Sequence, residues 1–391
     1  MARRPIRILA SRAGSQAITS ELTRRGFLAV AAGSGATAFL AACSGPSTSE
    51  APEATGGALE DALAIYTWGD YDAPETLTGF TDAEGPQITL DSYSSNEEMI
   101  ARLVAANGTS GFDIIVPTGV FIPQLIEQGL IQELNLDLIP NLANLDPAFA
   151  AQDWDPENAY SICKDWGTTG FVFDSTAISR DLVTWEDFLD AAQNEASGRT
   201  SLLDAPENIT GLYFWANGIP WTTTDEADLA AAEDFLVNTL AQHISAFDSY
   251  PGSGAMQQGT QVLMQCWNGD ARLGILESED PDRWQWRLGA PDTELWMDNW
   301  CIPVGAPHPE AAHAFIDYVL DPVVSLQELD YIGYHTGVAG IEDAANAEGL
   351  ERTDIVFFTE EQLATMHNGE VNDAQPRGVE IWNAMKAAAG Q

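Results

Sequence analysis

The sequence predicts an α/β protein, arranged as two domains or as one bilobed unit. Three observations predict this. Strand-like and helix-like segments alternate from residue 62 onward. The first of them follow a βαβαβ rhythm, which argues for a parallel sheet with helices on its faces. The 349 residues beyond position 42 exceed one ordinary domain. An apolar share of 45% with 12 Trp is enough for a real core.

The elements follow in order. Residues 1–42 read as an export signal. Arg3, Arg4, Arg7 and Arg12 make the start basic, and Thr23-Arg24-Arg25-Gly26-Phe27-Leu28 resembles a twin-arginine motif. The apolar run from Phe27 to Ala42 is shorter than the ~20 residues of a membrane span. It ends in Leu40-Ala41-Ala42-Cys43, which resembles the lipobox of bacterial lipoproteins; the resemblance implies cleavage before Cys43 and acylation of its sulfur. Residues 43–58, rich in Ser, Pro, Thr, Glu, Ala and Gly, read as a flexible tether.

Beyond the tether, Ala62–Trp68 and Gln87–Tyr93 read as strands, and Phe112–Thr118 as a buried strand. Pro74–Ala83, with Pro in its first turn, Asn96–Ala106 and Phe121–Gln128 read as helices. Gly170–Asp174, Thr200–Asp204, Gln261–Trp267 and Leu295–Val304 are strand-like. Thr184–Glu195, Ala227–Leu240 and Pro309–Leu320 are helical.

Removing residues 1–42 leaves 10 basic and 58 acidic residues. That excess excludes nucleic acid as a partner. It reads mainly as an acidic, strongly hydrated surface of the kind that suits high salt. A cation-attracting field is secondary, since salt screens it beyond ~8–10 Å. Enzyme chemistry finds no foothold. The five His are scattered without metal-ligand spacing, and His308 and His313 read as surface residues. No nucleophile elbow, P-loop or dinucleotide fingerprint occurs, so no cofactor and no metal is expected.

A recurrent pattern does stand out: Trp or Tyr beside a carboxylate at strand ends, where α/β proteins bind ligands. Trp68-Gly69-Asp70-Tyr71 follows the first strand, and Trp267-Asn268-Gly269-Asp270 follows another. Trp296 and Asp298 fall on one face of a strand by its period of two. Such groups suit an organic cation with an apolar stem. A carboxylate makes a charge-assisted hydrogen bond to ammonium, and each ring face adds ~0.5–2 kcal/mol while covering methylenes. Taken singly, each Trp reads more readily as core than as ligand. Asp204-Ala205-Pro206-Glu207 reads more strongly still as a helix N-terminal cap.

Over the chain beyond the leader, the sequence resembles the spermidine/putrescine-binding proteins of bacterial ABC importers. The stretches that carry the resemblance are IYTWGDY (65–71), DSYSSNEEM (91–99), FDIIVPT (112–118), NLANLDP (141–147), WGTTG (166–170), LLDAPEN (202–208), CWNGDA (266–271), LWMDNW (295–300) and YIGYHT (331–336). The resemblance implies a bilobed periplasmic-binding-protein-like fold of type II. One lobe would hold residues 59–167 and 296–342, the other 168–295 and 343–391, joined by two crossing strands and closing on the ligand as a hinge. It implies a binder that hands its polyamine to permease subunits; the lipobox places it on a lipid anchor at the outer face of the membrane, and a monomer is expected.

The ligand-lining residues it implies are Trp68, Tyr71, Thr118, Asp204, Glu207, Ser249, Trp267, Trp296, Asp298, Tyr334 and Asn372. Two departures bear on specificity. Val120 stands where the family usually has an aromatic ring. Lys164 either fills one amine subsite, giving a shorter or less charged cargo, or points to solvent at the hinge, with Asp165 directed the other way. Because the family's crossing strands run antiparallel, the resemblance also implies a Cys163–Cys301 disulfide, leaving Cys266 free. Three functions remain: a polyamine binder, the same fold holding another small organic cation or an amine-bearing amino acid, and a lyase or hydrolase using Asp204 and Glu207.

Overall fold

A computed structural model describes residues 53–391. The export motif, the lipobox and Cys43 lie outside the described residues. The run Ala-Leu-Ala-Ile-Tyr-Thr-Trp forms β1, Ala62–Trp68. It pairs in parallel with β2, Gln87–Tyr93, and with β3, Ile114–Ile115, in the order β2-β1-β3. The helices Pro74–Glu84 and Asn96–Ala106 make the intervening connections, the second capped by the Ser95 hydroxyl.

The long strand β4, Ile162–Asp174, is buried along all of its 13 residues. The other strands of its sheet are β5 (Thr200–Leu202), β6 (Ile244–Phe247), β7 (Leu263–Trp267), β8 (Trp284–Arg287), β9 (Thr293–Trp300) and β10 (Met366–Asn368). The order is β10-β9-β4-β7-β5-β6, with β8 added on β4. The first half of β4 pairs antiparallel with β9, and its second half pairs with β7 and β8. Its side chains change core along the way. Ile162, Cys163 and Trp166 pack with Leu63, Ile65, Met297 and Phe315, whereas Phe171 and Phe173 pack with Trp185, Phe188 and Leu263. One strand thus runs through two separate hydrophobic cores.

Several elements depart from their sequence signals. The expected strand at 112–118 keeps only Ile114 and Ile115 in the ladder, because the Asp113 carboxylate itself accepts the Ala64 amide and, across the molecule, that of His308. The strand expected at 170–174 starts eight residues earlier. Its first half carries Lys164, Asp165, Thr168 and Thr169, which mask a buried strand in the hydropathy pattern, yet each is buried against a polar partner. The helix at 227–240 divides into Glu226–Phe235 and a π-turn at Leu236–Leu240. His313 is buried rather than superficial: it accepts the Asn135 amide, and its other ring nitrogen meets the Pro309 carbonyl. Desolvation there holds it below the usual histidine range. The last residues of the expected tether are also fixed, since the amides of Thr55, Gly56 and Gly57 all donate to the Glu310 carboxylate.

The Cys163–Cys301 disulfide does not form. Cys163, Cys266 and Cys301 are all free. A bulge between Cys163 and Asp165 places Cys163 opposite Asn299, while Cys301 bridges to Ile115 in a different core.

Candidate functional site

A cavity of about 830 Å³ opens beyond the carboxyl ends of β1 and β7 and along β9. Twelve aromatic residues and eight carboxylates line it, with no Lys, Arg or His among them. Aromatic residues are thus about a quarter of the lining, against 9% of the chain. The acidic share is only that of the chain, so placement of the acids matters more than their number.

At one pole stands Asp298, 5% exposed. One carboxyl oxygen accepts the Thr118 hydroxyl at 2.7 Å, and the other lies 3.0 Å from the Tyr71 phenol oxygen. Thr118 is itself fixed by Asn96, whose amide exchanges hydrogen bonds with its backbone and hydroxyl. The same phenol lies 2.5 Å from Asp165. Desolvation, and then the charge of Asp165, push the Asp298 carboxyl up. At the other pole, Glu207 lines the cleft from the first turn of helix Pro206–Asn217. Glu294 lies near it, accepting from Thr169 and Asn208. Desolvation in the cleft and the Glu294 charge push Glu207 up to about 7. On the β7 side, desolvation pushes Asp270 up to about 6 although the Gly252 amide and Cys266 thiol donate to it.

The walls are aromatic. Trp68 is held by its indole N–H to the Val116 carbonyl and meets Tyr93 edge-on at 4.7 Å. Trp296 meets Tyr334 edge-on at 4.8 Å. Trp296 lies so close to the bare backbone of Gly167 that a Cβ there would sit 2.4 Å from the ring. Trp267 and Tyr250 form the opposite wall, their centroids 6.3 Å apart. Of the expected ligand residues, Trp68, Tyr71, Thr118, Glu207, Ser249, Trp267, Trp296, Asp298, Tyr334 and Asn372 all line this one cavity, and so does Val120. Asn372 spends its amide locally, on Thr222 and Ala374.

Asp204 does not line the cavity. The Lys386 ammonium, at 2.7 Å, and the Trp382 indole N–H draw it toward the C-terminal helix Gln375–Ala388. Nor does it cap a helix: the N-cap of Pro206–Asn217 is Ala205, without a side-chain hydrogen bond. Lys164 matches neither expectation. It is 4% exposed, outside both the cleft lining and solvent. Its ammonium donates to the Tyr71 carbonyl and faces Asp72 at 3.3 Å, Asp165 at 3.5 Å and Glu328 at 3.8 Å. Asp165 turns toward it because the bulge at Cys163/Asp165 breaks the strand alternation.

Sequence reasoning missed Asp165, Glu294 and Trp154. The first two lie just outside the strands expected at 170–174 and 295–304, and Asp165 was expected only to point away from Lys164. Trp154 lies in an irregular segment and packs on Gly119, supplying a ring beside Val120 where an aromatic side chain was missing.

The model of the bacterial extracellular solute-binding protein family matches residues 75–355. The chain belongs to this family. Among its relatives is a spermidine/putrescine-binding periplasmic protein of Escherichia coli, 30% identical over 278 residues, covering 71% of this chain and 77% of the relative. A putrescine/agmatine-binding protein of Pseudomonas aeruginosa is 25% identical, covering 85% of this chain and 94% of the relative. In three dimensions, the spermidine/putrescine ABC transporter substrate-binding protein of Streptococcus pneumoniae superposes with a TM-score of 0.71 at 26% identity, over 84% of this chain and all of that one. A chain from Listeria monocytogenes, described as a putative spermidine/putrescine ABC transporter, reaches 0.75 at 25% identity, over 84% of this chain and 99% of its own. This solute-binding protein therefore has the bilobed type II periplasmic-binding-protein fold, with two α/β lobes.

Proposed function

We propose that this chain captures a polyamine, putrescine or spermidine, in the aromatic cleft and delivers it to the permease of an ABC importer, from a lipid anchor at Cys43 on the outer face of the membrane. The lobes would divide at about Gly167 and Leu295, a reading supported by the change of core along β4. The observation that carries the ligand reading is the pair Asp298 and Glu294. Both are buried, both face the cavity, and neither has a cationic partner among the described residues. A buried acid without a cation is costly to ionise, so it stays protonated until a cation pairs with it. An alkyl-diammonium ligand supplies the missing cations at two poles, and the indole and phenol walls cover its methylenes.

Asp204, occupied by Lys386, is one acid fewer for the cargo, which favours putrescine over spermidine. Thermal-shift and calorimetric titration with putrescine, spermidine, neutral amino acids and sugars tests the reading. A bound amine at a hundred times its Kd stabilises by about 2.7 kcal/mol and is recovered unchanged. No shift with either amine would sink it.

A second reading has its own support. The indole N–H groups of Trp221 and Trp296 are buried without acceptors among the described residues, and both rings line the cleft. They suit the carboxylate of an amine-bearing amino acid. Tighter binding of such an amino acid than of putrescine in the same titration would select it.

A further inference from the structure

The Tyr71 phenol oxygen stands between two carboxylates, 2.5 Å from Asp165 and 3.0 Å from Asp298. A phenol has one hydrogen to donate. Directed at one carboxylate, it leaves its lone pairs facing the other, and two oxygens at 3.0 Å with no hydrogen between them repel. The second acid must therefore carry a proton and donate it to Tyr71. Two arrangements satisfy this count, with the proton on Asp165 or on Asp298.

Lys164 breaks the tie. Its ammonium faces Asp165 at 3.5 Å and lies over the Tyr71 ring at 4.6 Å. The Asp165 oxygen on that side has no hydrogen-bond partner among the described residues, so Lys164 alone balances it. Asp298 has no cation of its own. Its other oxygen takes the Thr118 hydroxyl, and the rest of it faces the cleft.

We propose that Asp298 holds a proton while the cleft is empty, that Lys164 imposes this by keeping Asp165 ionised, and that an incoming ammonium group takes the proton's place. Lys164 is then a positioning residue that acts on the ligand through Asp165 and Tyr71. In the exchange, the O–H bond of Asp298 breaks and its proton passes to solvent. The carboxylate keeps the electron pair and accepts an N–H from the ammonium. The ammonium donates a second N–H to the Tyr71 oxygen, so the 3.0 Å contact opens as the proton leaves. The inference rests on the polyamine reading for its ligand, not for the placement of the proton.

The other titratable groups around Asp298 are consistent with this order. From β4 come Cys163, Lys164 and Asp165; from the segment after β1, Tyr71 and Asp72; from β2, Tyr93. Tyr250 and Tyr334 come from the far side, and Glu328 stands behind Lys164. Lys164 is the single cation of this set. Burial lifts both aspartates, and of the two Asp298 is lifted further, because Lys164 offsets more of the rise at Asp165.

Carboxyl-carbon NMR of the ligand-free protein at pH 6 tests the placement, with Asp298 assigned through Asp298→Asn. The expected signal is that of a protonated acid, turning to the ionised position when putrescine saturates the cleft. Putrescine affinity should then rise about tenfold per pH unit through this range, one proton leaving per ligand. In Lys164→Met the order reverses: Asp298 is ionised in the empty protein, and the pH slope from this group disappears. An ionised Asp298 in the free wild-type protein at pH 6 overturns the proposal, whether or not the Lys164 variant folds. A saturated complex whose Asp298 stays protonated overturns the exchange. If neither amine binds, the polyamine reading falls, while the free-protein spectrum still decides the order of ionisation.

Discussion

Trp296, Glu207 and Asp204 illustrate how differently three residues of one expected ligand set are situated. Trp296 lies in the wall of the cleft, so Trp296→Ala should weaken amine binding by the ~0.5–2 kcal/mol of a cation–π contact, or about 2- to 30-fold, read by calorimetry. Asp204 is already paired with Lys386 and Trp382. Asp204→Ala should change affinity by less than about threefold, in line with an exposed ion pair that contributes little, whereas a tenfold loss would mean that Asp204 turns inward on binding. Glu207 predicts a pH dependence. Desolvation holds its folded pKa up at about 7, above the unfolded value near 4.5. The folded chain therefore binds more protons than the unfolded one between those values, and stability falls as pH rises across that window. Glu207→Gln should flatten that part of the urea-midpoint profile. Trp68 and Trp267 were legible in the sequence because each closes a strand, and Asp298 because it shares a strand face with Trp296. Asp204 was misjudged because the residues that occupy it arrive from the C-terminal helix, about 180 positions away.

At the scale of elements, β4 is the part of the fold that hydropathy reads worst and that matters most. In the first sheet the strand expected at 112–118 keeps only Ile114 and Ile115, whereas β1, β2 and the two helices between the strands were legible to within a residue. The first half of β4 was not, because a buried strand that carries Lys164 and Asp165 looks like a loop until its ion partners are known. Where the strand passes from one core to the other, Gly167 has no side chain, and the space a Cβ would need is taken by the Trp296 ring at 2.4 Å and the Asn268 amide oxygen at 2.5 Å. Gly167→Ala should cost about 1–3 kcal/mol of stability by overpacking and should also lower amine affinity, because the ring that gives way is a wall of the cleft. Wild-type stability in chemical denaturation together with unchanged affinity would contradict that packing. The cysteines make the companion case: Cys163, Cys266 and Cys301 should each titrate as free thiols once denatured and resist modification while folded, being at most 1% exposed.

At the scale of the whole molecule, the balance of charge decides behaviour in salt. The described residues hold ten basic side chains, and nine of them, all but Arg199, already form ion pairs with carboxylates. Most acidic groups have no cation to meet, so they repel one another across the surface, and compaction brings them closer than the unfolded chain does. Raising salt from 0.1 to 1 M shortens the screening length from ~10 to ~3 Å. That removes surface repulsion but hardly reaches Lys164 and its buried partners. The thermal midpoint should therefore rise steeply with salt, and the association rate of a dicationic ligand should fall over the same range as its long-range attraction is screened. The dissociation rate should move less, because the contacts at the buried Asp298 and Glu294 form away from bulk salt. Stopped-flow fluorescence of the cleft tryptophans separates the two rates. A dissociation rate that accelerates as strongly as association slows would mean that the ligand rests on the exposed acidic surface rather than between the aromatic walls.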